Sequence, residues 1–369
     1  MTYYSVIDSY RSFDFEAHIR SITAQKIENI LAQETLVPLD FLSLLSPAAL
    51  PYLEVMAQKA HAITLRNYGN VIHFFTPFYI SNYCENVCAY CSFSRRHSIT
   101  RRHLSYDDVR REAQRISADG IRHILVLTGE SHKLASEDYL AESVKIIKEY
   151  FSSVSIEVYP LTSDGYRKLI DAGTDGLTIF QETYDEDVYR PLHSGGPKEN
   201  YRFRLEAPDR AGALGMRTLT VGALLGLNTV YKEAFFTGLH AQYLQHRYPA
   251  AEVAVSLPRI RPLAGEFNTL YPVDDPHFVQ ILTAMRLFLH HAGITISTRE
   301  SREMRNALLP LGVTKMSAGV STSVGGHIGE ASTAQFEIFD SRSVEEMKHD
   351  LLAMGYQPVM HDWSSKFIA

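Results

Sequence analysis

Tyr79 to Ser94 reads YISNYCENVCAYCSFS and holds Cys84, Cys88 and Cys91, every cysteine among the 369 residues. Such clustering points to a shared task for the three thiols rather than to three unrelated buried side chains. The stretch also sets the fold. Val71 to Ile80, immediately before it, reads as a strand, and from Asn70 onward the pattern becomes strand, loop, helix, repeated.

Seven further strands are expected: Ile121 to Leu127, Val154 to Tyr159, Gly176 to Phe180, Thr218 to Gly222, Glu252 to Leu257, Ile294 to Ser297 and Thr314 to Ser317. They are mostly apolar, as expected where both faces of a parallel sheet are covered. Helical punctuation falls between them. Ser105 with Asp108 forms a capping box and Gly120 closes that helix; Ser136 caps the next; Ser163 to Ala172 ends at Gly173. Tyr201 to Leu214, which Pro208 should start or kink, Val230 to Arg247, Pro276 to Ala292, Arg302 to Leu311 and Val344 to Met354 complete the set. Eight strands alternating with helices predict an α/β fold, a (β/α)8 TIM-type barrel with the cysteine loop after its first strand. Residues 1–70, read as short helices, form an N-terminal helical extension or cap. Residues 71–340 form the barrel, and 341–369 a C-terminal helix and tail that close it.

Net charge of −6 and a pI near 6.2 argue against a nucleic-acid binder, which needs a basic face. The N-terminal residues lack the basic start and apolar core of an export signal, and no run of about 18 apolar residues is present to span a membrane. Reduced thiols suit the cytoplasm. The basic run Ser94 to His103 reads as a solvated connection, or alternatively as a contact for an acidic electron donor. No histidine pair among the 16 has convincing metal-ligand spacing.

A C-x3-C-x2-C trio on one loop can converge on an inorganic centre. Structural zinc would need a distant histidine as fourth ligand, and a ferredoxin run would need a fourth cysteine. Three thiolates on a 4Fe-4S cluster instead leave one iron open to a small molecule. With Tyr90 before the third cysteine and Phe93 after it, the loop resembles the signature of the radical S-adenosylmethionine (radical SAM) enzymes. The resemblance implies that Cys84, Cys88 and Cys91 ligate the cluster. The open iron then chelates the methionine moiety, and reduction yields a 5'-deoxyadenosyl radical.

Barrel chemistry sits where strands end. Thr128-Gly129-Glu130, Gln181-Glu182-Thr183, Ser256 to Arg261, Thr298-Arg299-Glu300 and Ser317-Ala318-Gly319 all fall there. For S-adenosylmethionine, Glu130 is expected to accept from the amine, its alternative being a helix N-terminal acid. Tyr90 would lie near the adenine, or else fill the core. Glu182 would hold the ribose hydroxyls, and Arg204 would grip the methionine carboxylate with two parallel donors unless it forms a surface ion pair. Arg299 is the candidate for binding a substrate carboxylate, with a hydroxyl from Ser317; the competing reading pairs Arg299 with Glu300 or Glu303.

Beyond the loop, the chain is similar along nearly its whole length to the 2-iminoacetate synthase family, the tyrosine lyases of thiamine thiazole biosynthesis. The matching blocks are LLSPAALPYLE (Leu44 to Glu54), NYCENVCAYCSFS (Asn82 to Ser94), LVLTGESH (Leu125 to His132), IFQETYDE (Ile179 to Glu186), EAPDRAGALGM (Glu206 to Met216), SLPRIRP (Ser256 to Pro262), ISTRES (Ile296 to Ser301) and QPVMHDW (Gln357 to Trp363). The resemblance implies that L-tyrosine is cleaved at Cα–Cβ to p-cresol and 2-iminoacetate (dehydroglycine). It also implies a thiazole synthase as protein partner and a flavodoxin or ferredoxin-type electron donor. A sister tyrosine lyase, of iron-only hydrogenase maturation, shares the barrel blocks but carries further cysteines in a C-terminal extension, whereas here none follows Cys91. A tryptophan-directed relative stays open, as does a non-catalytic iron-sulfur electron carrier. Leu263 to Phe267 (LAGEF) is where the blocks depart most.

Overall fold

The computed structural model describes residues 2–262, 267–269, 271–329 and 332–361. Most of LAGEF and the end of QPVMHDW therefore lie outside the described residues. Eight strands form a closed parallel ring: β1 Val71–Ser81, β2 His123–Thr128, β3 Ser153–Glu157, β4 Gly176–Glu182, β5 Thr218–Ala223, β6 Glu252–Ser256, β7 Gly293–Ile296 and β8 Lys315–Ser317. β1 pairs with β2 on one side and with β8 on the other, which closes the barrel. The expected TIM-type fold is what forms.

Strand β1 changes partners along its length, and Pro77 marks the change. Ala318 donates its N–H to the Phe75 carbonyl at 2.9 Å. The reciprocal donor in a parallel ladder would be the N–H of residue 77, which proline lacks. The Thr76 hydroxyl donates to the Ala318 carbonyl instead, at 2.7 Å, so no buried acceptor is orphaned. Above this point Thr76 to Ser81 pair with β2. Alternation sorts the rest of the strand: Phe75, Pro77 and Tyr79 line the bore, while Phe74, Phe78 and Ile80 are buried outward.

A ninth strand, β9 Gln357–Val359, pairs in parallel with Val71 to His73 at the base of β1. Met360 then accepts from the Arg122 N–H, just before β2. The C-terminal segment thus wedges between β1 and β2 at the end of the barrel opposite the cysteine loop.

Some expected elements take different bounds. The Tyr201 to Leu214 segment is two helices, Tyr201–Leu205 and Ala207–Gly212, parted at Glu206 because Pro208 begins a helix rather than continuing one. The long helix after β6 is Asp275–Phe288, and Gly293 opens β7 instead of closing that helix. β4 runs through Glu182, so Gln181 and Glu182 lie inside the strand end instead of after it. The helix Glu186–Leu192, capped by Asp185, was not expected.

The N-terminal helices lie on the barrel's flank. Phe41 stacks on Phe288 at 4.5 Å, Tyr10 meets Phe235 edge-on at 5.2 Å, and Gln280 donates to the Leu44 and Ser46 carbonyls at 2.9 and 2.7 Å. A Cβ on Gly238 would stand 2.5 Å from the Phe41 ring, so only glycine allows this approach. No described residue that lines the bore precedes Phe75. No single helix is long and apolar enough to cross a membrane.

Candidate active site

The cysteine loop leaves the top of β1 and is clamped from three directions. On the β2 side, Gly129 N donates to Ser81 O at 2.9 Å and Glu85 N to Glu130 O at 2.7 Å. A Cβ on Gly129 would lie 2.4 Å from the Tyr83 carbonyl oxygen and 3.1 Å from the Cys84 Cβ, so the turn must carry glycine for the loop to sit on it. On the far side, Val87 N donates to Gly195 O at 2.7 Å and Ala89 N to Leu192 O at 3.0 Å. Asn86 joins the two flanks: its amide donates to the Glu130 carboxylate at 2.6 Å and accepts from Lys198 N at 2.8 Å.

The third clamp is Arg101. Its guanidinium donates to the Asn82, Phe93 and Ser94 carbonyls at 2.6–2.8 Å. The basic run is therefore not wholly the solvated connection that was expected. Arg95 and Arg96 are exposed, but Arg101 staples both ends of the cysteine loop.

All three thiols are free, with Cys88 buried and Cys84 and Cys91 half-buried. Burial pushes the Cys88 thiol up to about 12, against the pull of Lys198. Binding to a cationic metal centre would overcome this shift and deprotonate the thiol. Among the described residues no three His, Cys, Asp or Glu side chains gather round a single ion position.

Below the loop a cavity runs down the barrel axis, lined by Tyr90, Cys91, Glu157, Glu182, Lys198, Arg299 and Ser317 among others. The structure thus gathers Tyr90, Glu182, Arg299 and Ser317 with Cys91. Glu130 and Arg204 stand outside the lining. Tyr90 presents its ring to the cavity while its hydroxyl is committed to His193 Nε2 at 2.6 Å. His193 Nδ1 is 2.8 Å from the Tyr189 carbonyl, so the proton sits on Nδ1; burial, with Lys198 nearby, pushes His193 down to about 3 and keeps it neutral.

Glu182 occupies a strained position. Its φ is 73°, and the β4–β5 register shifts between Phe180 and Glu182, a bulge that aims the side chain into the bore. Its carboxylate pairs with Lys198 at 2.6 Å and Arg204 at 3.4 Å. Burial alone would raise this carboxyl, but the two cations outweigh it and hold it below the usual range. Arg204 spends its Nε on the Phe180 carbonyl at 2.7 Å and one further donor on Glu182. The pair of parallel donors expected to grip a carboxylate is therefore already engaged with protein groups on that edge. Glu130 binds Asn86, and His132 lies 3.5 Å away.

Arg299 has no ion pair or side-chain hydrogen bond among the described residues. Its guanidinium lies 3.5 Å over the Phe336 ring and faces the cavity. Glu300, the expected competitor for it, is taken by Arg259 and by Arg261 at 2.9 Å, and Glu303 is exposed. Beside it on β8, the Ser317 hydroxyl is buried with no partner among the described residues. Sequence reasoning missed Glu157, Lys198, Asn86 and Arg101. For Glu157 a signal existed, since Ser155 and Glu157 alternate with apolar Val154, Ile156 and Val158 and so face the bore.

The sequence matches the Radical SAM superfamily over residues 78–235 and the Biotin and Thiamin Synthesis associated domain over residues 256–357. It is 36% identical over 363 residues to the 2-iminoacetate synthase of Escherichia coli, covering 97% of this chain and 96% of that protein. The 2-iminoacetate synthase of Salmonella typhimurium is also 36% identical, over 95% of this chain and 94% of its own length. Among solved structures, HydG, a maturase of the [FeFe]-hydrogenase, superposes with a TM-score of 0.88 at 29% identity, covering 94% of this chain and 79% of that one. Methylornithine synthase (PylB) shares the fold at a TM-score of 0.74 and 19% identity, over 90% of this chain and 97% of its own.

Proposed function

Because this chain belongs to the radical SAM superfamily and, within it, to the 2-iminoacetate synthase family, we propose that it cleaves L-tyrosine to 2-iminoacetate and p-cresol. The observation that carries the reading is the ring-stacked Arg299 beside the Ser317 hydroxyl, both without a side-chain hydrogen-bond partner among the described residues and facing a cavity that reaches up to Cys91. The 4Fe-4S cluster and S-adenosylmethionine, when bound, supply a 5'-deoxyadenosyl radical that takes hydrogen from the substrate amine.

The chain's own residues bind, orient and shield. Cys84, Cys88 and Cys91 would hold the cluster. Arg299 and Ser317 grip the tyrosine carboxylate, Phe336 keeping the guanidinium flat. Tyr90 and the anionic Glu182 face S-adenosylmethionine at the adenine and ribose. Glu130 and Arg204 act on it from behind, Glu130 by fixing the loop through Asn86 and Arg204 by holding Glu182 in place. The closed bore excludes water from the radical. The product's reactivity favours transfer to a thiazole synthase, and a flavodoxin or ferredoxin-type protein is the electron donor. Three free thiols suit the cytoplasm.

Anaerobic incubation of the reconstituted enzyme with reductant, S-adenosylmethionine and tyrosine is expected to yield 5'-deoxyadenosine and p-cresol. Deoxyadenosine without p-cresol would assign another substrate, with indole products pointing to tryptophan.

A further inference from the structure

The cavity lining holds two carboxylates, Glu157 and Glu182. Glu182 is committed to Lys198 and Arg204. Glu157 has neither hydrogen bond nor ion pair among the described residues, and the lining beside it on β2, β3 and β4 is mainly Leu125, Leu127, Leu177 and Phe180, with the neutral hydroxyls of Ser155 and Thr178. An acid left without a partner in such a wall is costly and is retained where a ligand completes it.

Its place in the ring indicates which ligand atom that is. In strand order β3 stands four places from β7, on the opposite side of the bore. Arg299 follows β7 and Ser317 ends β8. A substrate whose carboxylate is held by Arg299 and Ser317 therefore extends its side chain across the barrel toward β3, over the leucines and Phe180, and its far end arrives at Glu157.

We propose, resting on the tyrosine reading above, that Glu157 is the specificity residue for the substrate's para-hydroxyl, accepting a hydrogen bond from the phenol O–H. Burial, reinforced by Glu182, raises the Glu157 carboxyl to about 8, with Arg299 and Lys198 acting the other way. A carboxyl of that kind accepts from a phenol without demanding a full counter-charge. The nearby Ser155 hydroxyl is within 3.0 Å of His123 Nε2 and so is already engaged.

The test is equilibrium binding of tyrosine and phenylalanine to the cluster-loaded enzyme with S-adenosylmethionine, anaerobically and without reductant, so that nothing turns over. Wild type should prefer tyrosine. In Glu157→Leu that preference should fall about ten- to a hundredfold while phenylalanine affinity holds. Glu157→Ala, measured beside it, covers a Leu variant that fails to retain iron and sulfide, and Glu157→Gln, which keeps an acceptor oxygen, should restore most of the preference. A wild type that prefers tyrosine with variants that prefer it equally overturns the role of Glu157 and leaves the lyase reading standing. Equal weakening of both amino acids also overturns it, by assigning Glu157 to the amino group. Absence of any preference in wild type instead removes the tyrosine reading itself.

Discussion

Replacing Arg299 by alanine separates a binding role from a structural one. The guanidinium stacks on Phe336 at 3.5 Å and has no charged partner among the described residues. In the ligand-free protein its removal therefore strands nothing. The lost stacking, about 0.5–1 kcal/mol, is offset by removing a cation that burial disfavours: desolvation lowers its pKa, with Tyr79 and Glu157 pulling the other way. Stability should change by less than about 1 kcal/mol, unlike the roughly 3–5 kcal/mol lost on breaking a buried ion pair. Tyrosine binding should lose about 2–5 kcal/mol, some thirtyfold to several thousandfold in Kd. Thermal denaturation of the apo-protein gives the change in stability, and equilibrium dialysis of the cluster-loaded variant gives the change in tyrosine affinity. A tyrosine affinity within about threefold of wild type, or a melting loss typical of a severed salt bridge, would refute the reasoning.

Gly129→Ala places a methyl 2.4 Å from the Tyr83 carbonyl oxygen; we expect the cysteine loop to shift, at a cost of about 1–3 kcal/mol, and reconstituted iron and sulfide per chain to fall. Glu182→Gln leaves Lys198 and Arg204 buried without their anion, so chemical denaturation should show a loss of about 3–5 kcal/mol. Glu157 supplies a pH dependence. Its folded carboxyl titrates near 8 and its unfolded one near 4.3, so between those values the native state holds the extra proton and stability declines as pH rises. Relative to Glu157→Gln, the wild-type apo-protein should lose stability from about pH 5 to pH 8, and a pH-independent difference would count against the burial of this group.

The barrel was legible because its strands are apolar runs separated by capped helices, a pattern local enough to read. What was not legible depends on distant partners. β9 is three residues with Pro358 at its centre, too short for any period, and exists because the base of β1 offers it an edge. The helix Glu186–Leu192 is polar and contains Pro191, so nothing periodic announced it beyond the Asp185 cap. Strand-end position correctly singled out Glu182, Arg299 and Ser317 for the cavity. It could not show that Lys198 would pair with Glu182, or that Asn86 would reach Glu130 across 44 positions. It passed over Glu157, which lies on the inward face of β3 rather than past its end.

The seam at β1 has a consequence for biogenesis. The strand that carries the cysteine loop is made long before its neighbours on one side: the Thr76 hydroxyl reaches Ala318 across 242 positions, and β9 comes later still. Local helices and neighbouring strand–helix–strand units can assemble as they emerge from the ribosome, whereas this suture waits until β8 and β9 have been made. Until then the three sulfurs sit on an unfastened hem, open to oxidants. Lesions near residues 357–359 should therefore surface as poor metallation, read as iron and sulfide per chain, although they lie at the barrel's other end.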